Sequence, residues 1–124
     1  MKNEEKNIPS EETKMGNITV SEDVIAAVVK NAVLEIEGVK GIAGTESEQK
    51  VLFLKIRKES PNGGIKVDIK DQAVASVEIP VILKYGTNVI DVSKCIQEKV
   101  REAIIADVGM EAGNIDVTVE QISD

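Results

Sequence analysis

From Ala75 to Tyr85 the chain alternates without a break. Ala75, Val77, Ile79, Val81, Leu83 and Tyr85 fall on one side, and Ser76, Glu78, Pro80, Ile82 and Lys84 on the other. A period of two marks a β-strand with one face against a core. The run therefore predicts one long strand and rules out an all-helical fold. Pro80 has no N–H to give to a ladder, so it also predicts an edge, a bulge or an interruption at its position.

Shorter elements arrange themselves around this strand. Ile65, Val67 and Ile69 alternate with Lys66, Asp68 and Lys70, and Asp71-Gln72 makes a tight turn into the long strand. Ile115, Val117 and Val119 predict a last strand. Residues 16–20 predict a first one, with Ile18 and Val20 facing inward. Two stretches have helical periodicity instead. Val24, Ile25, Val28, Val29, Ala32, Val33 and Ile36 form a stripe behind Ser21, a good N-cap, with Glu22 and Asp23 in the first turn where the helix dipole favours acids. Val89, Val92, Ile96, Val100, Ala103, Ile104 and Val108 form the second stripe, which Gly109 ends. Residues 38–44, with Gly38, Gly41 and Gly44, read as a helix exit and turn.

The order is strand, helix, strand, strand, helix, strand. It predicts an α+β two-layer sandwich, a four-stranded sheet with two helices on one face. Residues 15–124 form one domain behind a disordered polar tail over 1–14. The open face of the sheet would carry Thr19, Lys66, Asp68, Ser76, Glu78, Thr118 and Glu120, with Ile82 as its apolar exception.

Composition narrows the chemistry. The 124-residue chain has no histidine, which removes the usual base and metal ligand at neutral pH. A single cysteine, Cys95, excludes a disulfide within one chain and fits a reducing interior. The net charge of −7 is a poor match to nucleic acid, which wants a basic footprint. The N-terminal residues lack the apolar centre of a signal peptide, and no apolar run is long enough to span a bilayer, so the expected location is the cytoplasm.

Four features invite a catalytic reading, and each has a plainer one. The stretch "KYGTNVID" over 84–91 follows a strand and opens a helix, as phosphate loops do. It holds one glycine, Gly86, and no Lys-Ser or Lys-Thr pair. A glycine turn with Thr87 or Asn88 as helix cap explains it better. The glycines of 38–44 follow a helix, where a dinucleotide fingerprint must open one. Asp68 and Glu78 are possible neighbours on the open face, but nothing supplies the burial that acid–base work needs. Cys95 beside the second stripe fits a small packed residue. No catalytic, cofactor or metal residue is assigned.

One segment stands apart, a basic and apolar insertion within 45–64. Lys50, Lys55, Arg57 and Lys58 flank Leu52, Phe53, Leu54 and Ile56. Leu52, Leu54 and Ile56 alternate as in a strand, and the same run suits a short amphipathic helix. The helix is preferred because the strands elsewhere already complete a sheet. The segment is either a packed amphipathic piece or a docking element. Lys50, Leu52, Phe53, Leu54, Lys55, Arg57, Lys58 and the open-face Ile82 are the candidate partner-binding residues.

Taken in order, "GNITVSEDVIAAVVKNAVLEIEGVKGIAG" and the stretch from "GIKVDIKDQAVASVEIPVILKYGTNVID" to "NIDVTVEQI" resemble the alkaline shock protein family of Gram-positive bacteria, also called the envelope stress response protein family. The resemblance covers nearly everything after the tail. It implies a small non-enzymatic cytoplasmic protein linked to cell-envelope homeostasis and stress. Family members act through protein partners, some held at the membrane by a separate anchored protein and some self-associating. The family carries no established catalytic residues, and its segment between first helix and second strand varies. The alternative reading is a small-molecule- or RNA-binding regulatory domain, including one tied to lipid metabolism, as some relatives are.

Overall fold

The computed structural model describes residues 10–13, 15–44 and 61–124. Its elements are β1 (Ser10–Thr13), β2 (Gly16–Thr19), α1 (Glu22–Leu34), β3 (Val39–Ile42), β4 (Lys66–Lys70), β5 (Ala73–Lys84), α2 (Val89–Ala103) and β6 (Ala112–Ser123). A π-helical turn, Ile104–Val108, extends α2. The fold is α+β, with two helices and a four-stranded sheet made of β3, β4, β5 and β6.

β5 is the hub. β4 pairs antiparallel with its first half, from Lys70↔Ala73 to Lys66↔Glu78. β3 pairs antiparallel with its second half, from Ile42↔Val81 to Val39↔Leu83. β6 runs parallel along the other edge, from Val74↔Ala112 to Lys84↔Ser123. Pro80 falls at the seam where β4 gives way to β3. Its carbonyl accepts the N–H of Ala43 at 2.9 Å, so its nitrogen faces the same edge, and the missing donor costs no ladder bond there.

Val77, Ile79, Val81 and Leu83 are fully buried beneath Ile25, Val29 and Val33 of α1 and Ile96, Val100 and Ile104 of the second helix. Each such side chain contributes about 1.5–3 kcal/mol relative to exposure. All buried side chains among the described residues are apolar. The expected Ser21 cap accepts from the Val24 N–H, and Asn88 caps α2 through the Asp91 N–H at 3.0 Å. Asp71 and Gln72 both have positive φ, as the two-residue hairpin turn between β4 and β5 requires.

Several expectations need correction. Residues 16–19 do form a strand, but it pairs with β1 as a separate hairpin, and Ile18 is 58% exposed. Thr19 therefore does not belong to the open face of the main sheet. The hairpin also places residues 10–13, assigned to a disordered tail, in a strand; residues 1–9 and 14 lie outside the described residues. The sheet strand that 16–20 was expected to supply is β3, within the stretch read as a turn. Tyr85 lies past the end of β5 and is 76% exposed.

The inward phase of β5 also shifts at its start. Val74 is buried and Ala75 only half so, because Asp68 pairs with Ser76 and Ile69 with Val74, which leaves Ala75 as a bulge. The bulge pushes the Ala75 carbonyl toward β6. A Cβ on Gly113 would overlap that carbonyl oxygen, so only glycine lets β6 start beside it. Gly113→Ala is expected to lower stability by about 1–3 kcal/mol, the usual cost of overpacking. Urea denaturation checks it, and an unchanged midpoint would refute the close approach.

Candidate interaction surface

The face of the sheet away from the helices is built by alternation from four strands. Register places Lys66 and Asp116 on either side of Glu78, and Thr118 beside Pro80. Ile82 pairs with Gly41 on one side and Gln121 on the other, and it is half-buried. A concavity of about 400 Å3 lies over Pro80, with Gly44 and Gly64 at one end and Lys66, Glu78, Thr118 and Glu120 around it. Lys40 leaves β3 and donates to the Ser123 hydroxyl at 3.0 Å and to the Asp124 carbonyl at 2.9 Å.

Of the expected partner-binding residues, Ile82 is where alternation places it. Lys50, Leu52, Phe53, Leu54, Lys55, Arg57 and Lys58 lie outside the described residues. The described chain breaks off at Gly44 and resumes at Pro61, and both points lie beside the seam at Pro80: Ala43 bonds to the Pro80 carbonyl, and Gly64 donates to the Ala43 carbonyl at 2.9 Å. The two roots of the basic segment thus lie on the strand column next to Ile82.

Asp68 and Glu78, read as possible neighbours, are diagonal on adjacent strands and not directly opposed. Asp68 stands opposite Ser76 and Glu78 opposite Lys66. Asp68 instead meets Lys70 at 3.6 Å, with both side chains more than half exposed, an arrangement that contributes little. Cys95 is a half-buried thiol packed against the core.

The two glycine stretches meet at one corner. The Lys84 N–H donates to the Gly38 carbonyl at 2.8 Å, and a Cβ on Gly38 would press on Val92 and Thr87 at 3.1 and 3.2 Å. Thr87 donates back to the Lys84 carbonyl, and Asn88 caps the helix. The N–H groups of Lys84, Tyr85 and Thr87 are thus engaged within the fold, and the corner is a joint between α1, β5 and α2. Gly86 turns it with φ of +87°. Gly86→Val is expected to cost about 1–3 kcal/mol, because a β-branched residue is strained at positive φ even in open space. Thermal denaturation with and without nucleotide checks this; intact stability with loss of nucleotide binding would contradict the joint.

Two features were not legible in advance. Tyr85, Ile90 and Ile122 are exposed at the same end of the molecule. Their nearness depends on the β5–β6 register, in which Lys84 meets Ser123 and the Tyr85 N–H donates to the Ser123 carbonyl at 2.9 Å. A second groove, of about 320 Å3, runs between the helices over Val28, Ala32, Ala103 and Ala106. No helix among the described residues is long and apolar enough to cross a membrane.

Comparison with known proteins agrees with this architecture. The family model described as "Asp23 family, cell envelope-related function" matches residues 10–123. The chain is 36% identical over 110 residues to "Uncharacterized protein Spy1614" of Streptococcus pyogenes, covering 89% of this chain and 90% of that one. It is 26% identical over 110 residues to "Uncharacterized protein YloU" of Bacillus subtilis, covering 89% and 91%. "Uncharacterized protein YqhY" of the same organism is 21% identical over 109 residues, covering 88% of this chain and 78% of its own length. No solved structure matches.

Proposed function

Because the chain belongs to the Asp23 family, the alkaline shock protein family with a cell envelope-related function, we propose that it is a non-enzymatic interaction protein of envelope homeostasis and stress response. It works in the cytoplasm and reaches the membrane through a protein partner. Self-association belongs to the same reading, as the family resemblance implies.

One observation carries the proposal. The open sheet face holds an apolar residue, Ile82, on the strand column from which the basic segment departs and to which it returns. A partner seated there would meet an apolar centre with charges of both signs around it.

The test is recovery of partners from membrane extracts by the full-length protein. Ile82→Asp, and separately the pair Phe53→Asp with Leu54→Asp, are expected to reduce recovery about tenfold or more, as loss of an interface anchor does. Circular dichroism establishes that each variant is folded. Undiminished recovery with both would show that the partner binds elsewhere.

A further inference from the structure

β6 is an edge strand. β5 holds one side of it, and among the described residues no strand holds the opposite side. The first part of that free edge is closed by α2. Arg101 donates to the carbonyls of Ala112 and Gly113 at 2.6 and 3.2 Å, and Gln97 to the carbonyl of Ile115 at 2.9 Å. The Ile115 carbonyl therefore points away from β5, and by strand alternation the N–H and C=O groups of Val117 and Val119 point the same way. Glu120 is a bulge, since Val81 pairs with Val119 but Ile82 with Gln121. Beyond it Ser123 faces β5, taking the Tyr85 N–H, so the backbone of Ile122 points outward.

The sides of this open stretch differ. Val117, Val119 and Ile122 register with Ile79, Val81 and Leu83, which puts them on the helix side. Ile122 is 45% exposed. Lys94 and Ile90, the latter 62% exposed, continue the row of α2 positions that contains Gln97 and Arg101, one and two turns nearer the helix start than Gln97. On the other side stand Asp116, Thr118 and Glu120. β6 contains no basic residue.

We infer that the outer edge of β6 from Val117 to Ile122 is a strand-addition site for an extended protein segment that alternates apolar and basic residues. Such a strand takes its main-chain hydrogen bonds from Val117, Val119 and Ile122. Its apolar side chains pack on Ile90 and Ile122, and its basic ones meet Asp116 and Glu120. The same acids disfavour a second β6 as occupant, because self-pairing sets one acidic edge against another.

The inference rests on the reading of the chain as a partner-binding domain but concerns a separate surface. The probes are two synthetic nonapeptides, one alternating lysine with valine and one alternating glutamate with valine, titrated into the full chain. The lysine peptide is expected to bind about tenfold tighter or more, and to slow amide exchange at Val117, Val119 and Ile122 by NMR. Asp116→Lys with Glu120→Lys should reverse the preference. Glu98→Lys with Glu102→Lys, the same charge change on α2, should leave it in place. Val119→Pro, which removes one outward N–H, should abolish binding of either peptide with the fold intact by circular dichroism.

Equal binding of both peptides, exchange effects confined to other residues, or a concentration-dependent dimer that protects this edge without peptide would each overturn the inference. If the peptide fails while envelope partners are still recovered, the edge is wrong and the proposed function stands. If the peptide binds and no envelope partner is recovered, the reverse holds.

Discussion

Hydrogen bonding along both edges of β5 is the constraint on which the other elements depend. Its odd-numbered residues from Val77 to Leu83 send their side chains into the core, and the even-numbered ones look out. One edge is given whole to β6. The other is divided between β4 and β3, and Pro80 marks the division. A residue without an N–H is harmless at such a seam and disruptive elsewhere in a central strand. The seam has a topological consequence. A chain that leaves β3 and returns as β4 must do so beside Pro80, so the basic insertion is rooted on the strand column flanking Ile82.

The helices complete the core and also set which surfaces stay available. α1 and α2 cover the apolar face of β5 and leave the opposite face free of helices. α2 does more than pack. Through Gln97 and Arg101 it reaches around to the edge of β6 and satisfies carbonyls that would otherwise face water. That cover ends after Ile115, where the strand continues. The result is a domain with a mixed-charge face, an acidic half-edge and exposed apolar side chains at Tyr85, Ile90 and Ile122. These are features suited to binding in a family tied to the cell envelope.

Much of this was legible in the chain itself. The inward set from Val77 to Leu83, both helical stripes except Val24, which is 51% exposed, the Asp71-Gln72 turn and the capped start at Asn88 follow from periodicity and local backbone chemistry. The misses have physical causes. Val39–Ile42 is four residues with a glycine inside, and its strand character comes from pairing with β5. Residues 16–19 carry a genuine strand signal, but nothing local says which partner they take. Ala75 looked inward because alternation assumes no bulge. Within the candidate surface, the outward direction of Ile82 could be read from alternation, whereas its place next to the seam could not.

The sequence by itself determined the class of each long element, the apolar content of the core and the absence of histidine chemistry, because these depend on side-chain type and spacing along the chain. Tertiary structure decided the rest. It chose β3 over residues 16–19 as the fourth strand, moved the inward position from Ala75 to Val74, turned Tyr85 out and left half of β6 open. Each of these is a matter of register between segments distant in sequence, and register is set by which backbone groups find partners across the sheet.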